Sequence, residues 1–193
     1  MRFGFVVLAM LCIGAAVRSQ DLPTIMVNKA SRALNLNSEQ KANALAIMRE
    51  CVAYTQDPRQ LSYILSTAYG ECGIRPIKEY RGDQGSYHWT VQNEYWYTGY
   101  YGRGFVQLTW KDNYANFGRL LGVDLVNKPD LALDPKIAGK VICIGMTKGL
   151  FTGVGLGRYL DSRLDDWSNA RRIVNGMDKA YEFGERGRAI FNA

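Results

Sequence analysis

The stretch DPRQLSYILSTAYGECGIRPIKE, Asp57 to Glu79, constrains this chain more than any other. Asp57 can accept hydrogen bonds from the first free backbone N–H groups of a helix, Pro58 suits its first position, and Gln60 completes a start resembling a capping box. Leu61, Ile64, Leu65, Ala68 and Cys72 recur at offsets that keep them on one face at about 100° per residue. Glu71 lies at the edge of that face, beside Ile64 and Ala68. Gly73 stops the helix, so the spacing predicts a carboxylate at a helix terminus, with a second, Glu79, just beyond it.

The 193-residue chain, 47% hydrophobic, can bury a core and falls in the range of one domain or a small two-lobed one. Residues 1–19, MRFGFVVLAMLCIGAAVRS, read as a secretory signal peptide: an early positive charge, an apolar run, and small residues before a cleavage point at Ser19. The run is shorter than the roughly 20 residues of a bilayer span. Residues 20–193 are then the mature domain. Removing Arg2 and Arg18 takes Lys+Arg from 24 to 22 against 18 acids, a formal +4. A basic secreted chain suits an anionic polymer or cell surface as partner.

Loss of Cys12 leaves Cys51, Cys72 and Cys143, which means one disulfide and one free thiol, in a pairing that spacing does not assign. His88 is the single histidine, so a Cys–His nucleophile and a zinc site are both disfavoured, and no metal or cofactor is expected.

Helical periodicity is expected over Asp21–Leu36, with Ile25, Val27, Ala30 and Leu34 inward, and over Asn37–Tyr54, where Asn37 and Gln40 form a capping pair and Ala44, Ile47, Met48 and Cys51 line one face. From Gly73 to Gly104 the periodicity disappears, which predicts a long functional loop with at most a small β element near Tyr87–Tyr101. Helices are expected again over Asn113–Leu121, Asp134–Gly149, Ser168–Val174 and Asp178–Ile190. Gly153, Gly155 and Gly157 lack the strand and full GxGxxG of a phosphate loop and read as a connection. The fold class is mainly α.

A partly apolar setting disfavours the charged form of a carboxyl group and suits Glu71 to general-acid work, while a wetter carboxylate from Glu79, Asp83 or Glu94 stays ionised as a base. The plain alternative is that Glu71 merely pairs with Arg75. Tyr87, Trp89, Tyr95, Trp96, Tyr97, Tyr100 and Tyr101 cluster nearby, and flat rings with polar tips suit sugar stacking. Trp110 and Phe117, at helical spacing, are expected in the core. Nucleic-acid base stacking is the rival reading of basic, aromatic-rich chains, and the leader argues against it.

The runs AYGECGIRPIKEY, YYGRGFVQLTWKDNY, DLVNKPDLALDP, GMTKGLFTG and ARRIVNG together resemble the catalytic domain of family 19 glycoside hydrolases, the chitinase and phage-endolysin type, over about Leu61 to Phe191. The resemblance implies a lysozyme-like, two-lobed helical fold and an inverting hydrolase of β-1,4 bonds in N-acetylated amino-sugar polymers. It places the general acid at Glu71 and the general base at Glu79, with Glu94 as runner-up. It further implies that Thr109 holds the nucleophilic water and that Gln107, Asn113, Asn175 and Arg186 line the sugar cleft; from the aromatic cluster, Tyr101 and Trp96 are the expected ring contacts. The family segment usually reads His-Glu-Thr where this chain has Gly70-Glu71-Cys72. The expected partner is a polysaccharide, peptidoglycan ahead of chitin; a secreted monomer that binds neither membrane nor nucleic acid is expected. A carbohydrate-binding protein without activity is a further alternative.

Overall fold

The computed structural model describes residues 21–193; the leader expected at 1–19 lies outside the described residues. Ten elements follow in order: α1 (Leu22–Leu34), α2 (Ser38–Cys51), α3 (Pro58–Cys72), β1 (Ile77–Lys78), α4 (Tyr87–Gln92), β2 (Arg103–Gly104), α5 (Lys111–Leu121), α6 (Pro135–Lys148), α7 (Arg172–Asn175) and α8 (Ala180–Asn192). The fold is mainly α, as expected, and among the described residues no helix is long and apolar enough to cross a membrane.

The caps follow the sequence closely. The Asp57 carboxylate accepts from Arg59 N at the start of α3, Asn37 and Gln40 exchange both bonds of a capping box on α2, and Asp134 accepts from Lys136 N and Ile137 N on α6. Gly73, Gly122 and Gly149 end α3, α5 and α6 in the left-handed conformation. Gln60 departs from its expected capping role, since its amide donates to Leu160 O at 2.8 Å and ties α3 to a distant loop.

α3 is the axis of the molecule. It packs chiefly on α8, with α1, α2 and α6 on other sides. Every residue from Leu61 to Ala68 is buried, including Ser62, Tyr63, Ser66 and Thr67, so the helix is enclosed rather than one-sided. The apolar stripe read from the sequence is there, but polar residues are buried on the other faces too; Ser66 Oγ satisfies itself by donating to Phe183 O of α8 at 2.7 Å. A second pairing, α2 on α6, carries the Cys51–Cys143 disulfide, leaving Cys72 as the free thiol.

Several expectations need correction. On α1 Val27 and Ala30 are buried as expected and Met26 joins them, while Ile25 is exposed. The β element lies at Ile77–Lys78 and Arg103–Gly104, paired antiparallel as Ile77 with Gly104 and Lys78 with Arg103. It brackets the Tyr87–Tyr101 region, which instead holds α4, capped by Ser86 Oγ accepting from Trp89 N, and a 3-10 turn at Trp96–Thr98. Ser168 makes no side-chain cap; a 3-10 turn at Asn169–Arg171 leads into the short α7. α8 starts at Ala180 behind a left-handed Lys179, one residue later than an Asp178 cap would give. Phe117 is in the core as expected, but Trp110 is 45% exposed.

The disulfide closes a loop spanning 92 residues between two packed helices. Replacing both Cys51 and Cys143 with alanine should lower unfolding stability by about 2–5 kcal/mol, read from urea titrations of the two proteins.

Candidate active site

Glu71 sits in the last turn of α3, 20% exposed, with Oε1 2.7 Å from Nη1 of Arg171. Arg171 is 3% exposed, stacks its guanidinium over the Phe183 ring at 3.9 Å, and donates from Nε to Asp178 O. The contact with Glu71 is an ion pair rather than an aligned hydrogen bond. The expected partly apolar wall is therefore replaced on one side by a buried cation. Arg75 turns away to Glu39 at 3.1 Å, which removes the plain pairing alternative for Glu71.

Glu79 follows β1 and is the centre of a network. Oε1 accepts from Gln92 Nε2 at 2.8 Å and from the Tyr95 hydroxyl at 2.7 Å, and Oε2 accepts from Gly102 N at 3.0 Å. Three donors aimed at two oxygens match an ionised, acceptor-only carboxylate, with an acceptor position of Oε2 left over. Burial first, and then the bond to Glu79, push the Tyr95 phenol upward, so it remains a donor. Glu94 is exposed on the turn after α4, and Asp83 is exposed in the preceding loop. Of the three base candidates, Glu79 alone is held by this network.

The second motif turns sharply between β2 and α5. Gln107 and Trp110 both have positive φ, 54° and 74°, values that non-glycine residues rarely adopt. Gln107 is fixed by its own amide, which donates to Ile77 O at 3.1 Å and Gly104 O at 3.0 Å and so ties both strands. Thr109 Oγ1 donates to Gln107 O at 2.9 Å, and Asn113 Nδ2 donates to Thr109 O at 2.8 Å. These bonds leave the Gln107 and Asn113 side-chain oxygens, and the lone pairs of Thr109, as acceptors. All three residues line one cavity of about 300 Å³ with Val106, Leu108, Trp110, Phe151 and Val174.

Glu79 and Gln107 meet at Gly102, where a Cβ would lie 3.2 Å from Glu79 Oε2 and 2.8 Å from Gln107 Oε1. The structure thus joins Glu79 to the Gln107–Thr109–Asn113 group. Asn175 closes α7, exposed, next to the cavity-lining Val174. Arg186 is committed elsewhere, paired with Glu182 at 2.5 Å and within cation–π range of Tyr69 and Phe183.

Trp96 and Tyr101 stack on one another at 4.5 Å, with the Arg81 guanidinium 4.9 Å from the Trp96 centroid and that of Arg103 4.0 Å from Tyr101. Each ring thus has one face engaged within the protein, and Tyr80, Tyr87 and Tyr97 are strongly exposed rings nearby. Arg103, missed in the sequence, is 3% exposed and knots this loop. It donates to Asp130 at 2.8 Å, to the carbonyls of Gly99 and Tyr101, and to the Tyr114 hydroxyl. Lys78 first and Arg103 second hold the Asp130 carboxyl below its ordinary range. Among the described residues no three His, Cys, Asp or Glu side chains gather to hold a metal ion.

The family model for class I chitinases matches residues 50–149, from the end of α2 through α6 and across the site just described. The chain belongs to glycoside hydrolase family 19. It is 60% identical over 42 residues to Endochitinase 1 of Theobroma cacao, a stretch covering 21% of this chain and 13% of that protein. It is also 50% identical over 38 residues to Inactive chitinase-like protein 1 of Hevea brasiliensis, covering 20% and 12%. The chain is thus matched over only about an eighth of the length of these relatives. The crystal structure of a bacterial family 19 chitinase superposes with a TM-score of 0.57 at 18% identity, covering 88% of this chain and 96% of that one, a likeness of fold.

Gly70 and Cys72, which flank the acid, have a packing explanation. A Cβ on Gly70 would lie 2.4 Å from the Phe183 ring and 2.8 Å from Arg186 Nη1, so α8 occupies the space a histidine would need. Cys72 turns its thiol inward, donating to Ala68 O at 3.2 Å and Phe105 O at 3.4 Å.

Burial, with the Glu71 charge adding, pushes the Cys72 thiol from 9.0 up to about 12. Between those values the unfolded chain releases a proton that the folded chain keeps, so this group's contribution to stability is full below pH 9 and is lost as pH rises towards 12. Cys72→Ala should flatten the alkaline fall in urea-measured stability by about one proton, and the native thiol should react slowly with a thiol reagent at pH 8. At the junction of the two motifs, Gly102→Ala should destabilise by about 1–3 kcal/mol through overpacking against Gln107 and Glu79, measured by the same titrations.

Proposed function

We propose that this family 19 protein is a secreted hydrolase of β-1,4 bonds in polymers of N-acetylated amino sugars, acting by an inverting, single-displacement route. The observation that carries the reading is the Glu79 network, which presents an ionised carboxylate beside the acceptor-rich cavity of Gln107, Thr109 and Asn113. Glu71 is the general acid. Its Oε2, the oxygen that Arg171 does not hold, must first take up a proton, which it then gives to the leaving glycosidic oxygen. Water is activated by the free acceptor position of Glu79 Oε2. Thr109 orients it, because its own hydrogen is spent on Gln107 O and its lone pairs are left to accept from the water. Gln107, with both amide hydrogens used, can only accept, which suits a sugar hydroxyl or acetamido N–H.

Net charge favours peptidoglycan, an anionic polymer, as the substrate. The matched plant relatives carry the name endochitinase, which favours chitin. A product assay on purified peptidoglycan beside soluble chitin oligomers decides between them. Release of the inverted anomer is expected, whereas an anhydro sugar would replace this mechanism with a lytic transglycosylase. The Arg171–Glu71 ion pair and the altered flanks of the acid favour one second reading, a binding protein without turnover, as the name of the Hevea relative illustrates. That reading gives saturable polymer binding with no cleavage.

Glu71→Gln should lower turnover by about 10²–10⁴-fold while the circular dichroism and melting temperature stay close to those of the unsubstituted protein. A variant with near-normal turnover removes Glu71 from the acid role.

A further inference from the structure

Trp110 is the residue for which the fold gives least reason. It stands at the N-cap of α5 with no side-chain capping bond, where Asn, Asp or Ser would satisfy a free N–H. Its backbone, at φ 74° and ψ 135°, lies in a region that glycine enters freely and other residues enter only under strain. Little is recovered by burial, since the side chain is 45% exposed. Sequence spacing assigns it to the core; the positive φ throws the indole outwards instead.

The position it gains is a specific one. The indole lines the same cavity as Gln107, Thr109 and Asn113. Its edge contact with Tyr95, 5.2 Å between centroids at 65°, puts it one ring away from the phenol that donates to Glu79. The backbone is held by Trp110 N donating to Tyr100 O at 2.8 Å, so the loop of the aromatic cluster maintains the conformation. Trp96 and Tyr101, the rings nominated from the sequence for sugar contact, are stacked on one another and on arginines; of the two rings that line the cavity, Phe151 packs against Phe117 and Trp110 is 45% exposed.

We propose that Trp110 is a substrate-contacting residue, its indole stacking on the apolar face of an N-acetylated amino-sugar ring at the mouth of the Gln107–Thr109–Asn113 cavity. The proposal rests on the carbohydrate reading above and adds to it the residue that sets affinity. Aromatic stacking supplies area at low conformational cost, while the acceptors beneath fix the sugar's orientation.

The test uses Trp110→Asn and Trp110→Phe in the full chain. Asn supplies a capping oxygen to the first turn of α5, which offsets the packing lost with the half-exposed indole, so its melting temperature should stay within about 4 °C of the parent. Affinity for a soluble N-acetylglucosamine tetramer, measured by calorimetry in a Glu71→Gln background, should fall at least tenfold in the Asn variant and less than threefold in the Phe variant. In the active background the same loss should appear in KM with kcat little changed. Unchanged affinity in the Asn variant overturns the proposal, as does a loss of affinity accompanied by a fall of more than about 10 °C in melting temperature, which marks a packing role. If the parent protein neither binds nor cleaves any amino-sugar polymer, the carbohydrate reading fails in the unsubstituted chain, and this proposal falls with it.

Discussion

The enclosure of α3 is the constraint on which the remainder depends. A helix buried on every side from Leu61 to Ala68 has no freedom to rotate or slide without moving α8, α1 and α6 together. Its polar residues lie inside, and the bond from Ser66 to the Phe183 carbonyl shows the helix pinned to α8 by direction as well as by packing. The last turn, Tyr69 to Cys72, emerges from this enclosure with an orientation already decided. Glu71 inherits that orientation, and the left-handed Gly73 then leads the chain to β1 and Glu79. A rigid scaffold thus places one carboxylate, and a short strand pair the other.

At the second motif the same economy appears in hydrogen allocation. Gln107 spends its amide hydrogens on strand carbonyls, Thr109 spends its hydroxyl on Gln107, and Asn113 returns to Thr109. Each bond fixes a rotamer and simultaneously turns the group into an acceptor towards the cavity. The positive φ at Gln107 and Trp110 is stored at this one turn, where the surrounding bonds over-determine the backbone. Arg103, buried against Tyr101 and Tyr114 and tied to Asp130, anchors the loop from below.

Much of the helical frame was legible in the sequence because its signals are local. Asp57–Pro58, Asn37 with Gln40, and Asp134–Pro135 begin helices, and Gly73, Gly122 and Gly149 end them, by interactions within four residues. Legibility failed where a tertiary partner decides. Gln60 left its expected cap for Leu160, and Trp110 faced outwards because its φ, which spacing does not encode, is positive. The Gly73–Gly104 stretch hid a strand pair of two residues each, too short for alternation to register. At the site, Glu71, Glu79, Gln107, Thr109 and Asn113 were nominated from motif and resemblance, and the structure joins four of the five around Gly102 and one cavity. Arg171 was passed over although it stands in the quoted ARRIVNG run, since nothing local marks one arginine of a pair as the buried one.

Gly70 gives the fold a history as well as a geometry. The Phe183 ring and the Arg186 guanidinium fill the volume that a side chain at position 70 would require, so the residue before the acid and those on α8 are epistatic. Neither the usual family histidine nor a smaller residue at 183 can be judged alone: the first collides with α8 as it stands, and the second leaves a hole beside Arg171. A side chain at position 70 therefore requires a matching change on α8, and either change alone costs packing next to the acid.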